Sequence, residues 1–565
     1  MKNILKLFIL SFVISLTSCE DFLDKTPLDE VSETDFYSTP AELRVAVNSF
    51  YRDLPTWANA GVGSSALPDN GTDLVMNQTP SDRLLGIYTI PTASTAAIWS
   101  WDEVREANWF LDHTNQASGN QTDIDQYTGE GYFFRAYYYF NLLVDYGDLP
   151  IFEQYFDNTN EEFVFAARDP RNEVTDFILS DLDTAISLLK SFPDLGSWPR
   201  VSKEAAQLFK ARVALFEGTW EKYHSDTDFG VLGSDGTSYL EIAANAAESV
   251  IDGGVFTLHN DYESLFNTSG LSGNSEMILW RDYNWQDLGI GNDLQISWPN
   301  NCSYSRFAIR SYLCTDGDPI SVSPLYVGDQ DLSTIETNRD PRLAATIMVP
   351  GDIIRLDNGT ATLWTVPFLD NAFGGYESQK YRDYNYDDTD ADNFTRSTSK
   401  IAMRYAEALL IFAEAKAELE TITQADLDKS INLLRARVGM PGITLGSITQ
   451  DPDWPNYGYT LTDILYEVRR ERSVELMAEG FRLNDLLRWR AHELFNGDTP
   501  LGAYFLDGIV ENGTNDPNIL LDGDDYLDPY QTYGAFDFDE SKAYLKALPL
   551  DELKLNPNLD QNPGW

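Results

Sequence analysis

The chain has 565 residues, 43% of them apolar and 13% aromatic, with 90 acidic side chains against 40 basic ones and a formal charge of −50. That length exceeds one ordinary core, and the apolar fraction is enough for folding. The charge excludes nucleic-acid binding through phosphate neutralisation, because no basic run interrupts it, and it opposes a highly anionic ligand unless local arginines offset the field.

In chain order, residues 1–18 read as an export signal: Lys2 and Lys6 precede an apolar run over 7–16 that is too short to span a bilayer stably. The run ends at Leu16-Thr17-Ser18-Cys19, followed by the acidic Glu20, Asp21 and Asp24. Thr39-Pro40-Ala41-Glu42 predicts a helix start, with a hydroxyl at the cap, a proline in the first turn and a reciprocating carboxylate. Residues 58–91 are rich in Gly, Ser, Asn, Asp, Thr and Pro and read as a long loop. Helices are expected over 101–109 (WDEVREANW), from about 124 to the Gly147/Pro150 stop, and over 173–190, 202–217 and 239–251. The segment at 132–143 has too many aromatics for one stripe, which predicts burial on several sides.

Between about 255 and 399 the helical period fails, and short apolar runs alternate with Gly, Asn, Asp, Pro, Trp and Tyr. Within this stretch lie CTDGDPI (314–320) and NRDPRL (338–343). Helices resume at 401–419 and 425–437. Over 461–490 a charged helix carries Ile464, Leu465 and Val468 at helical spacing, yet Glu471, Arg472 and Glu475 take positions where the stripe turns inward. Unpaired buried charge costs several kcal/mol, so a network is expected among Arg469, Arg472, Glu475, Glu479, Arg482 and Arg488, joining two helices that meet near Gly480.

Catalytic chemistry finds no support. His113, His224, His259 and His492 lack ligand spacing, and no nucleophile elbow, phosphate-binding glycine loop or zincin helix occurs. With 90 acids, close carboxylate pairs are inevitable and discriminate nothing. Acidic turns such as Asp316-Gly-Asp318, Asp329-Gln-Asp331 and Asp387-Asp388 lack the spacing of a dedicated Ca²⁺ loop. Neither a cofactor nor a metal is expected. Cys302 and Cys314 are left either as a bridge in an oxidising compartment or as two buried thiols.

Several of these segments share one resemblance. R-x-x-R-x-x-E-L-x-x-E-G-x-R-x-x-D-L-x-R-W, from Arg469 to Trp489, resembles the C-terminal signature of the SusD/RagB family of outer-membrane nutrient-binding lipoproteins. The tail LKALPLDELKLNPNLDQNPGW (545–565) is similar to the family ending, with Ala547 where proline is usual. The segments at 101–109, 132–150, 314–320 and 338–343 are also similar to family motifs. The resemblance implies a mainly α fold, a tetratricopeptide-like helical-pair scaffold of α-solenoid type with a large irregular, loop-rich insert. Its expected parts are a lipoprotein signal peptide (1–18), an N-terminal helical part (19–254), the substrate-side insert (255–399) and a C-terminal helical part (400–565) closing the same globular unit.

The segment ending at Cys19 resembles the bacterial lipobox, which implies lipidation there, anchoring to the outer membrane and, with the acids that follow, an exterior orientation. The function implied is non-covalent capture of oligosaccharide for a SusC-like TonB-dependent transporter, with no nucleic-acid partner. The alternatives are a peptide-binding member of the same fold and, third, a surface glycoside hydrolase. Trp99, Tyr283, Trp285 and Trp298, with Asp69, Asn70, Asp73 and Arg83, each sit in a polar, loop-like context and are the ligand-binding candidates. The resemblance implies the same regions, since family ligands are commonly held by aromatics in the loop before the second helix and in the insert. Trp109 and Trp280 lie in apolar periodic runs and read as core.

Overall fold

The computed structural model describes residues 36–57, 69, 71–95, 98–157, 159–196, 199–268, 270–292, 302–357, 359–367, 369, 373–384, 397–505 and 519–565. Its main helices are α1 (Pro40–Val47), α2 (Asp102–His113), α3 (Gln121–Tyr146), α4 (Arg171–Leu188), α5 (Lys203–His224), α6 (Thr237–Asp252), α7 (Tyr405–Glu418), α8 (Ile431–Arg437), α9 (Asp463–Glu475) and α10 (Arg482–Arg488). They pack neighbour to neighbour, α2 on α3, α3 on α4, α4 on α5, α5 on α6, α6 on α7 and α7 on α9, as a helical-pair scaffold does. The expected capping box at Thr39 and Glu42 is formed. In α3, Phe133, Phe134, Tyr138, Tyr139 and Phe140 are all buried, so this helix is enclosed on several sides. Contact between α5 and α6 is close enough that a Cβ on Gly236 would fall 1.9 Å from the Gly218 carbonyl oxygen.

Three antiparallel strand pairs supplement the helices. They are β1 (Val75–Asn77) with β3 (Cys302–Tyr304), β2 (Met277–Arg281) with β6 (Lys400–Arg404), and the hairpin of β4 (Ile353–Asp357) with β5 (Thr360–Leu363). Three expectations are corrected here. Residues 400–404 are a strand, because Ile401 and its neighbours pair with β2, and the helix begins only at Tyr405. The stretch 425–437 is broken at Ser430 between a turn of helix, Gln424–Asp428, and α8. The loop at 58–91 contains β1, whose Met76 sits opposite Ser303; residues 58–68 and 70 lie outside the described residues.

Two apolar cores result. The larger follows the helices, and the second gathers Tyr262, Trp280, Tyr304, Tyr312, Trp364 and Tyr376 from the insert region around Trp57 from the N-terminal part. Trp280 belongs to this second core, and Trp109 packs against the first. Cys302 and Cys314 are buried thiols. The α9–α10 pair lies at the seam, sending Leu465, Val468 and Leu476 into the first core and Val474 and Met477 into the second.

The buried charges of that seam are paired, but not with each other as the sequence reading expects. Glu475 accepts from Arg342 (3.0 Å), Arg404 (2.6 Å) and Arg437 (2.6 Å). Glu479 accepts from Arg404 (2.7 Å) and Lys380 (2.9 Å). Arg469 donates to Glu418 (3.0 Å), Arg472 to Asp485 (2.8 Å) and Arg488 to both Asp485 (2.9 Å) and Glu414 (2.5 Å). Arg482 grips Asp73 through two bonds of 2.8 and 2.6 Å. All six residues thus find their partners outside the six. Arg472 and Arg488 converge on Asp485 and so tie α9 to α10, whereas the other four reach across to α7, the loop before β1, the insert, β6 and α8. The 338–343 motif gains its role here, since Arg342 also holds Asp340 (2.7 Å) and Glu471 (2.6 Å).

Candidate functional site

A recess of about 600 Å³ opens between the 71–98 segment and the C-terminal stretch 543–565. Its position follows from how the loop is tied down. Gly480 holds φ at 95°, a conformation that glycine adopts without strain, and its N–H donates to Asp69 (3.0 Å), which also accepts from the Arg482 N–H (2.7 Å). Burial lifts the Asp69 carboxyl to about 6 against those two bonds. With Asp73 on the Arg482 guanidinium and β1 paired to β3, both ends of residues 69–77 are fixed to the scaffold. On the opposite side, Asn562 donates to the carbonyls of Tyr146 (3.0 Å) and Lys546 (2.8 Å), which fastens the tail to the end of α3.

Two rings meet in this recess. Tyr88 and Trp565 pack edge to face with centroids 5.6 Å apart. The Tyr88 hydroxyl donates to the Arg83 carbonyl (3.1 Å) and accepts from the Asp539 N–H (2.8 Å), while the Trp565 indole N–H is shared by the carbonyls of Lys542 and Leu545. Their polar edges are therefore engaged, and both rings stay half-buried beside the exposed Ile87 and Leu483. Around them stand Asn77, Ser81, Asp82, Arg83 and Lys546, the last paired with Asp145 (2.8 Å). An apolar patch with amide, hydroxyl and cationic groups at its rim is suited to a ligand with both C–H faces and hydrogen-bonding edges.

The sequence-derived candidates are distributed unevenly. Arg83 lines the recess. Asp69 and Asp73 lie behind it, buried in the contacts that anchor the loop, so they position the site instead of presenting to a ligand. Trp99 is 6% exposed, not an open platform. Its backbone takes φ 52°, its N–H donates to the Tyr146 hydroxyl (3.0 Å), and its ring is packed by Tyr146 and Trp101. It borders a neighbouring recess of about 310 Å³ that also contains Asp53, Glu103 and Asn141 and shares Tyr146. Tyr283 is buried in the second core, where its hydroxyl accepts from the Trp57 N–H (3.3 Å), away from both recesses. Trp285 opens a short helix, Trp285–Leu288, but its side chain lies outside the described residues, as do Asn70, Trp298 and Cys19.

Sequence reasoning passes over Tyr88, Ile87, Leu483 and Lys546. Trp565 is noticed only as a family ending. Tyr88 lies in a segment read as loop, as Trp99 lies beside one, and that signal alone does not separate an open ring from an enclosed one.

Comparison with known proteins supplies the lineage. The model of the SusD family matches residues 263–565, and a model described as starch-binding associating with outer membrane matches residues 21–215. SusD-like protein P2 of Formosa agariphila is 24% identical over 575 residues, covering 99% of both chains. Among solved structures, a SusD-like carbohydrate binding protein from Bacteroides fragilis superposes with a TM-score of 0.71 at 22% identity, over 93% of this chain and 100% of that one. A laminarin binding SusD-like protein gives 0.57 at 19% identity, over 94% of this chain and all of the other. With a family match over more than half its length and with the helical-pair fold, this chain belongs to the SusD family.

Proposed function

We propose that the protein is a surface lipoprotein, anchored through Cys19, that binds oligosaccharide non-covalently and delivers it to a SusC-like TonB-dependent outer-membrane transporter. The observation that carries this reading is the recess where half-buried Tyr88 and Trp565 meet a hydrogen-bonding rim, of a volume suited to a few sugar units. Family membership and the carbohydrate-binding relatives support the ligand class. Sugar rings offer C–H faces to aromatic side chains and hydroxyls to the rim, so each ring contributes about 1–3 kcal/mol, by analogy with base stacking. The transporter partner rests on family membership; no helix among the described residues is long and apolar enough to cross a membrane.

Titration of a glycan and peptide panel by calorimetry tests the ligand class. Trp565→Ala and Tyr88→Ala are each expected to weaken the best glycan about tenfold, corresponding to about 1.4 kcal/mol, with the melting transition retained. Preferential binding of peptide, or unchanged affinity in both folded variants, removes this placement of the site. For anchoring and partnership, outer membranes extracted in mild detergent are expected to yield the parent with a large barrel protein, whereas Cys19→Ala leaves the membrane fraction. Retention of that variant, or repeated isolation of a solitary parent monomer, counts against the respective half of the reading.

A further inference from the structure

Arg83 differs from the other buried arginines. Its guanidinium lines the large recess and is half-buried, yet it has neither a side-chain hydrogen bond nor an ion pair among the described residues; only its carbonyl is engaged, by Tyr88. Exposed Arg44 is likewise unengaged, but among the described arginines that are not exposed Arg83 is an exception. Arg135, Arg171, Arg342, Arg404, Arg482 and Arg488 each hold a carboxylate. The nearby carboxylates do not quench it. Asp145 is held by Lys546 at 2.8 Å, and Asp82 is exposed to solvent. Desolvation pulls the Arg83 guanidinium below its ordinary value, with Asp145 and Tyr88 only partly opposing.

We propose that the sugar bound in this recess carries an anionic substituent, a carboxylate or a sulfate ester, which the Arg83 guanidinium takes. The inference rests on the glycan-binding reading above and names its substrate class. A guanidinium presents five N–H donors in a rigid planar fork that matches two oxygens of a carboxylate or sulfate at once. Closing a neutral sugar over the recess removes water from this cation without supplying a counter-charge, which is unfavourable; an anionic group makes the same closure favourable. The net charge of −50 does not forbid this, because at physiological salt fields beyond about 8 Å are largely screened and the charge nearest the ligand decides.

The test uses the mature protein and six probes: polygalacturonate and its carboxyl-reduced form, ι-carrageenan and its desulfated form, and the neutral glucans laminarin and amylose. Affinity electrophoresis and calorimetry are expected to show strongest binding to one charged probe, with at least a tenfold loss when its charge is removed. R83Q is expected to lose that same tenfold on the charged probe and less than twofold on its neutralised form. R83K, which keeps the charge but not the fork, falls between. Whether the uronate or the sulfated arm responds identifies the anion. Strongest binding to a neutral glucan, or an equal loss by R83Q on charged and neutralised forms, overturns the proposal. Absence of binding to all six overturns the glycan reading itself, and this inference with it. A melting transition of R83Q matching the parent excludes misfolding as the cause, and R83K gives the same comparison should R83Q fail to fold.

Discussion

Replacing Glu475 with alanine is expected to cost the fold about 3–5 kcal/mol, since deleting one member of a buried ion cluster leaves the others uncompensated. Glu475 is fully buried and receives three arginines, from the insert (Arg342), from β6 (Arg404) and from the end of α8 (Arg437). Burial alone would raise its carboxyl, but Arg437, Arg404 and Arg342 outweigh that and hold it well below the ordinary carboxylate range. The sign follows: with a folded value below the unfolded one of about 4.5, this stabilisation is present above that pH and is lost as pH falls through the folded value. Glu479, Glu418 and Asp485 are displaced in the same direction, so acid unfolding is expected below about pH 4. Urea titration of Glu475→Ala at pH 7 measures the first effect. A loss under about 1 kcal/mol would show that the cluster is solvated and that the seam has another origin.

Two buried lysines are expected to contribute stability that grows between pH 8 and 9.5. Burial lowers Lys380 to about 8, with Glu479 opposing, and lowers Lys400 to about 8 as well. The Lys400 ammonium lies 4.0 Å over the Trp57 ring, and that of Lys380 lies 3.9 Å over Phe266. Unfolded, both titrate near 10.5, so in this interval the unfolded chain holds more protons at these two positions and their contribution climbs with pH. Integration gives roughly 1.5 kcal/mol for each lysine. Below the window, the carboxyls of Glu221 and Glu336, raised by burial to about 7, have finished titrating. Within it, Cys314 and buried tyrosines such as Tyr146, the latter raised by burial to about 12, oppose this gain, because unfolded they titrate near 9.0 and 10.0. Denaturant titrations of the parent and of Lys400→Met at pH 8.0 and 9.5 check this, the change over the interval being expected to be about 1.5 kcal/mol more favourable in the parent. An identical change in the two proteins refutes it.

Much of the scaffold was legible because it is locally encoded. The Thr39 capping box, the aromatic α3 ending at Gly147 and the turn at Gly480 each depend on residues within a few positions. Residues 400–404 were not legible, since K-I-A-M-R continues an alanine- and leucine-rich helical pattern and becomes a strand only by pairing with 277–281. The seam charges announced that they needed partners without naming them, because Arg342, Arg404 and Arg437 arrive through tertiary structure. At the site, the polar surroundings that suggested an open Trp99 gave no hint of Tyr146 and Trp101 closing over it. The recess itself depends on Tyr88 meeting Trp565 from the other end of the sequence.

The reach of α9 and α10 also bears on how the chain acquires its structure. Asp73 waits for Arg482 across 409 positions, and Glu276 and Arg342 wait for Arg404 and Glu475 across 128 and 133. Loop-closure entropy must be met before such contacts give any return, so high contact order makes for slow, late consolidation. A polypeptide delivered N-terminus first therefore holds its early acids and arginines unmatched until the 463–488 segment emerges. The changes of composition near 254 and 399 mark no pause in this process: a fragment cut at either point retains charges whose counterparts are on the other piece.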